Sequence, residues 1–498
     1  MSAKILIVGA GPVGMTLALE LAKYGVDFDM IDKRAAKSSA SKALSVSAAS
    51  LKVFQGLGLE DKFNGVGKRV SDIYVYYRGR RCAHIDKRRL DGPFDYYLSL
   101  PQPETEAILE QQMAEREIAV RYETECRLVE NTADAVHVEW TRSGSDVVER
   151  HSYDHVVACD GAHGVVAKKL GLPFREYDYG RHFVMGDVRF DRQLAMETTS
   201  YFVTDDGFMI YLPMAGGITR LVVGRRGPLP SPGFVPSTAD LQQAFDAYFP
   251  QQARITEVVW ASGARMFAKV AETNRLGRVF FAGDAFHLFS PIGGQGMNTG
   301  LQDAFNLGWK LAWVSHGLAH PRLLETYRHE RMATVEKTFA NVHRNTLQIL
   351  REIETDAAAN AFVPHPGNRA LYRRDLPLEF SGFQVDYADA DGGLAGRHVP
   401  YFTGLADVLP VASSWDLPQL ARNVVFAASP AVCRDLEPMI AEFDRVATPL
   451  AAPPAAAALS LDVNDVCLVR PDGYIGYAGD LVGLRAYLER HYRHPSAH

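Results

Sequence analysis

The chain opens with an unbroken apolar run, KILIVGAG from Lys4 to Gly11, that breaks on glycine as a short buried strand does. Helical spacing follows in PVGMTLALELAKYG and stops at Gly25, a residue type suited to the position just past a helix. VDFDMID reads as a second strand and closes a βαβ-type unit at Asp32. A helix is predicted over SAASLKVFQGLGL, and SDIYVYYRGRRCAHID alternates like a hairpin turning at RGR. PQPETEAILEQQMAE carries a helical stripe through Ile108, Leu109 and Met113, and strands return in AVHVEWTR and YDHVVACDG. Residues from about 180 to 270 are strand-rich, in HFVMGDVRFD, SYFVTDDGFMIYLPM, TRLVVGRR and ITEVVWASGARMF, which predicts one sheet laid over a pocket. Long helical segments then run to about Arg351. Beyond them the pattern reads strand (NVVFAAS), helix (DLEPMIAEFDRVA), hairpin (VCLVRPDGYIGYA) and helix (LVGLRAYLERHY). The low-complexity PLAAPPAAAALSL is predicted to be a loop.

At 498 residues the chain exceeds what one core supports, so two or three domains are expected. A formal net charge of −6 argues against a nucleic-acid partner. The five cysteines show neither CxxC nor zinc spacing, which predicts reduced thiols, no metal site and a cytoplasmic protein. No apolar run approaches the ~20 residues that cross a bilayer, so no membrane association is expected.

Two glycine-rich stretches carry the chemistry. In GAGPVG, Gly9, Gly11 and Gly14 lie between a strand and a helix, with Pro12 and Val13 opening the helix. That spacing allows a tight turn, close approach to a pyrophosphate and close helix–strand packing. Asp32 ends the next strand, where a carboxylate can accept from ribose hydroxyls. The second stretch is FFAGDAFHLFSPIGGQGMNTGLQDAFNLGWKL. Gly283 and Asp284 end a strand, and the carboxylate there suits polyol hydroxyls. Gly293, Gly294 and Gly296 then open a helix whose free N–H groups suit the developing negative charge of a reduced flavin. One grip for an AMP end and one for a ribityl-isoalloxazine end describe FAD.

These stretches, together with ACDGAHG, resemble the three signatures of the FAD-dependent aromatic hydroxylases, the single-component monooxygenases of the p-hydroxybenzoate and phenol hydroxylase type. The resemblance implies an α/β fold in which a Rossmann-like FAD-binding domain (1–75, 100–180 and 271–345) interleaves with a β-sheet substrate domain (76–99, 181–270 and 346–390). GLAGRHVP through LVRPDGYIGYAG resembles the thioredoxin-like C-terminal domain of the phenol, pentachlorophenol and polyketide hydroxylase branch, placed at 391–498. Without CxxC it is expected to be structural or to support a homodimer.

The resemblance further implies that NAD(P)H reduces FAD and that a flavin C4a-hydroperoxide transfers oxygen from O2 to a small phenolic aromatic. It assigns Asp160 and Gly161 to the meeting place of FAD and NAD(P)H, and Lys33, Lys42 and Gln102 to the cofactor. Met297 and Asn298 join Gly296 in contacting the flavin through their backbone, Pro291 shapes the loop beside it, and Arg220 and Tyr211 complete a catalytic group with Pro291. His287 is expected to buttress the loop, with Tyr201, Met209 and Phe289 candidates for pocket walls. Where the family pattern continues DGxxSxVR, this chain has Gly164, Ala167 and Lys168, which leaves the NAD(P)H phosphates without their usual Arg. SASKALSV lies closest to the halophenol and nitrophenol branch and favours a substituted monocyclic phenol. Baeyer–Villiger or other oxygenation of a polyketide, and a non-enzymatic flavin-binding protein, are the alternatives.

Overall fold

The structure is a computed structural model that describes residues 4–37, 41–205, 207–227, 229, 231, 233–350, 375–383, 387, 393–451 and 453–492. Most of the predicted substrate-domain segment 346–390 lies outside the described residues.

Ile5–Val8 is fully buried because it is the second-from-edge strand of a five-stranded sheet. The order is Arg275–Leu276, Val279–Phe281, His155–Ala158, Ile5–Val8, Phe28–Ile31, parallel except for the first pair. Alternation sends its side chains to two cores. Ile5 and Ile7 meet the helices Pro12–Lys23 and Gly296–Ser315, while Leu6 and Val8 meet Val138, Trp140 and Tyr153 of a three-stranded antiparallel sheet. Gln102–Glu115 packs beside Pro12–Lys23 on the helical side.

The strand-rich middle is one eight-stranded mixed sheet, in the order His287–Leu288, Ile255–Ala271, Phe174–Phe190, Thr219–Arg226, Phe208–Pro213, Thr199–Val203, Asp72–Tyr77, Arg80–Asp86. The early hairpin thus joins strands met a hundred residues later, by the parallel pairing of Ile73 with Thr199. Tyr97–Ser99 lies outside this sheet and pairs with Ser45–Val46 and Lys68–Val70. One face of the large sheet packs Phe183, Met185, Tyr201, Ile210 and Val222 towards Ile292. The other packs Val184, Met209, Tyr211 and Leu221 under the helix Thr238–Asp246.

The C-terminal region holds a four-stranded sheet, Ala447–Ala451, Asn423–Ala427, Val466–Val469, Ile475–Gly479, with one parallel and two antiparallel pairings. Helix Pro430–Ala441 begins five residues before its predicted start, because Ser429 caps it and Pro430 occupies the first turn. The predicted loop in PLAAPPAAAALSL is in fact the strand Ala447–Ala451 followed by the helix Pro453–Leu459. Proline at the start and alanine thereafter are strong helix determinants, which low complexity concealed. The core of this sheet is continuous with that of the first: Val424, Phe426 and Leu468 belong to the same buried cluster as Ile5, Leu17 and Trp309.

Candidate active site

The first glycine loop sorts its residues by contact. A Cβ on Gly9 would lie 2.3 Å from the Cys159 carbonyl oxygen, and one on Gly14 would lie 2.0 Å from the Gly9 oxygen, whereas one on Gly11 meets nothing within 4 Å. Gly9 and Gly14 therefore pack the turn, and Gly11 faces open space. Pro12 and Val13 open the helix, which has no side-chain cap, so its first N–H groups are available to a phosphate. Val13 also packs against Gly283 and Gly300, locking the first loop to the second.

Asp32 is more occupied than ribose binding alone would require. It accepts from Ala10 N at 2.7 Å and is forked by Arg34, Nε at 3.0 Å and Nη2 at 2.8 Å. Burial would raise its carboxyl, but these bonds outweigh burial and hold it below its ordinary value. Arg34 was not foreseen, although it stands two residues on. Lys33, expected at the cofactor, is exposed. Lys42 is exposed too and acts on Asp284 through its charge. Gln102 accepts from Ala43 N at 3.2 Å and donates to Glu106 at 2.8 Å, which pins the segment carrying Lys42.

Asp160 folds over the start of the helix Val165–Lys169, accepting from Val166 N at 3.1 Å, and its other oxygen is buried without a partner among the described residues. Gly161, at φ +81°, leaves the space beside it open. The departure at Gly164 has a structural consequence: a Cβ there would lie 2.2 Å from Asp160 Oδ1. The carboxylate fills the volume that a serine would take.

At the second stretch, Asp284 makes no side-chain hydrogen bond among the described residues. Burial raises its carboxyl, opposed by the charges of His287, Lys42, Lys269 and His163. Lys269, also unforeseen because its strand runs past the predicted end at Phe267, donates to the Ala162 carbonyl at 2.7 Å. Gly293 and Gly294 take positive φ, +87° and +63°, and the Pro291 carbonyl accepts from Gly294 N at 3.2 Å. The helix from Gly296 is uncapped by any side chain, and a Cβ on Gly296 would meet nothing. The Asn298 side chain is fully used, accepting from Ser47 N and Ser50 Oγ and donating to the Ser45 and Gly294 carbonyls. Only its backbone, like that of Gly296 and Met297, is left for a ligand.

Behind this loop Asp303 is wholly buried and accepts from Gly283 N at 3.1 Å, His287 Nε2 at 2.7 Å and Arg331 Nε at 2.7 Å. His287 thus sits as a support between strand and helix. Phe289 stacks on it at 5.0 Å and is buried in the core below.

The sheet contributes unequally. Arg220 is buried, forked by Asp187 at 2.7 and 2.8 Å, bonded to Ser41 and set 5.1 Å from the Trp260 ring. Its Nη1 has no partner among the described residues. Tyr201 shares this face and meets the Gly293 backbone. Tyr211, expected in the catalytic group, lies on the opposite face with Met209, where Thr219 Oγ1 donates to it at 3.3 Å. Strand alternation makes the two faces inevitable but does not say which one meets the loop.

Residues 2–342 match the FAD binding domain family. This chain belongs to that family and is an FAD-dependent monooxygenase. The 6-methylpretetramide 4-monooxygenase of Streptomyces rimosus is 31% identical over 417 residues, 79% of this chain and 73% of that protein. Pentachlorophenol 4-monooxygenase of Sphingobium chlorophenolicum is 28% identical over 437 residues, 86% and 80% of the two chains. The solved structure of anhydrotetracycline hydroxylase from Streptomyces rimosus is similar at a TM-score of 0.79 and 26% identity, covering 98% of this chain and 99% of that one.

The site of this monooxygenase fits FAD. Gly11 leaves room where a phosphate must approach, the two helix N-termini are free of side-chain caps, and Asp160 and Asp284 have carboxylate oxygens that await donors. No helix among the described residues is long and apolar enough to cross a membrane.

Proposed function

We propose that this monooxygenase inserts one atom of O2 into a polycyclic aromatic polyketide at the expense of NAD(P)H. The observation that carries the reading is the likeness, along 98% of the chain and through the C-terminal sheet, to an anhydrotetracycline hydroxylase. The 6-methylpretetramide oxygenase among its relatives supports the same class. This replaces the substituted monocyclic phenol expected from SASKALSV. That phenol stands as the second reading, on the likeness to the pentachlorophenol enzyme.

In this reading FAD, when bound, would supply the redox chemistry that links NAD(P)H to O2. The chain's own residues hold, orient and seal. The N–H groups at the start of Pro12–Lys23 hold the pyrophosphate, with Asp32 and its partner Arg34 setting the ribose side. Asp284 accepts from the polyol. The backbone at Gly296, Met297 and Asn298 donates to the pyrimidine end. Arg220 keeps a cation behind Ser41, and Pro291 and Tyr201 bring the loop and the sheet face together. The C-terminal sheet, with its parallel pair, antiparallel hairpin and flanking helices, supports a thioredoxin-like fold without redox chemistry.

The FAD-loaded protein is tested with NADH or NADPH against anhydrotetracycline-type polyketides and against halophenols. Polyketide-stimulated cofactor oxidation with a product one oxygen heavier is the expected result, and carbon NMR separates hydroxylation from ring insertion. Halide release from a halophenol alone would favour the second reading. Peroxide formation with no modified product from any substrate would overturn both.

A further inference from the structure

We propose that the C-terminal sheet is a working part of the flavin site, with Arg331 the positioning residue through which Arg470, Asp472 and Tyr387 hold the Gly283 loop. The proposal rests on FAD lying against Gly283 and Asp284.

Arg331 is wholly buried and grips two segments that face the cofactor. Its Nε donates to Asp303, which holds Gly283 N, and its Nη2 donates to the Thr299 carbonyl at 3.1 Å, in the first turn of the Gly296 helix. Its Nη1 donates to the Tyr387 hydroxyl at 3.2 Å. That hydroxyl also accepts from Asn306 Nδ2 at 3.3 Å, and Asn306 donates to Asp472 at 3.2 Å. The neighbour of Arg331 on the same helix, Glu330, points to another side, as successive helical residues must. Glu330 accepts from Arg470 at 2.5 and 3.0 Å and from Lys310 at 2.7 Å. Arg470 in turn forks Asp472 at 2.5 and 3.1 Å. Arg470 and Asp472 belong to the hairpin turn of the C-terminal sheet.

The charges close. Asp303, Glu330 and Asp472 are matched by Arg331, Arg470 and Lys310, with every member buried or nearly so. A buried ion whose partner moves away is left without solvation, so the cluster holds one arrangement rather than deforming gradually. Two bonded routes therefore run from the hairpin turn to the backbone that lines the cofactor, one through Tyr387 and one through the shared helix. Generic packing between two regions would need no such line of fully paired ions.

The test uses the flavin-loaded chain. Tyr387→Phe removes a single hydroxyl and keeps the ring that stacks on Tyr474 at 4.2 Å. Asp472→Asn keeps shape and removes charge. Both are expected to raise the FAD dissociation constant by about tenfold and to shift the visible spectrum and midpoint potential of the bound flavin. Tyr477→Phe, in the same sheet but with its hydroxyl bonded, among the described residues, to Asp480 alone, is expected to change neither. Wild-type affinity, spectrum and potential in both cluster variants would overturn the proposal, whether or not the melting temperature falls. Asp284→Ala tests the cofactor placement separately. If Asp284→Ala alone weakens FAD, the placement stands and the link to the C-terminal sheet is refuted; if it too has no effect, the placement itself is wrong.

Discussion

An added methyl group separates the three glycines of the first loop into two kinds. At Gly9 and Gly14 it would strike backbone, at 2.3 and 2.0 Å, while at Gly11, whose φ is −84°, it would project into the space kept for phosphate. Gly11→Ala is therefore expected to fold with a little-changed melting temperature and to bind FAD at least about tenfold more weakly, as read by flavin fluorescence. Gly9→Ala and Gly14→Ala are expected to give little soluble protein. The same reasoning at Gly164 shows how one missing side chain redirects another, since Asp160 occupies the room. The glycine grips were legible in the sequence because a phosphate leaves a fixed spacing behind. Arg34, Lys269 and Asp303 were not, since ordinary charged residues acquire their partners only when distant segments meet.

The two helices that carry the grips, Pro12–Lys23 and Gly296–Ser315, pack tightly: a Cβ on Gly308 would lie 2.6 Å from Cγ of Glu20. Glu20 is fully buried and its ion pair with Lys23 is long, 3.5 Å, because that ammonium donates to the Pro418 carbonyl at 2.7 Å. Burial pushes the carboxyl up to about 7. With the folded pKa above the unfolded one, the folded state holds an extra proton between 4.5 and about 7, and stability falls as pH rises through that window. Glu20→Gln is expected to raise stability by on the order of 2 kcal/mol near pH 8 and to change little near pH 5, as thermal melts at the two pH values would show. Elements with a clear signature, such as the apolar run Ile5–Val8 ending on glycine and the helical period of Leu481–His491, were legible from the pattern alone. Tyr211 was misplaced because a strand offers two equivalent faces, and the helix over 453–459 was missed because alanine carries no amphipathic stripe.

Across the molecule, the buried ions set the acid limit. Burial would raise the Glu330 carboxyl, but Arg470 and Lys310 outweigh it and hold the group far below 4.5. Burial likewise opposes Asp303, whose carboxyl Arg331 and His287 keep below 3.8. Both folded values lie under the unfolded ones, so the stabilisation is complete above about pH 4.5 and is lost as pH falls further. Flavin release and loss of helical circular dichroism are expected in one step below that pH, at a midpoint little moved by salt because the groups are screened from it. Flavin release well above that pH, with the fold intact, would show that the cluster does not set the limit. The parallel strand order also has a consequence in time. Val279–Phe281 lies beside His155–Ala158, which lies beside Ile5–Val8, so neighbours in space are far apart in order of synthesis. At roughly 5–20 residues per second, the nascent first grip waits on the order of tens of seconds for the second to leave the ribosome, and longer for Arg470. Cofactor capture is thus a late event in the life of each new chain, and until then the apolar edge of Ile5–Val8 depends on something else to cover it.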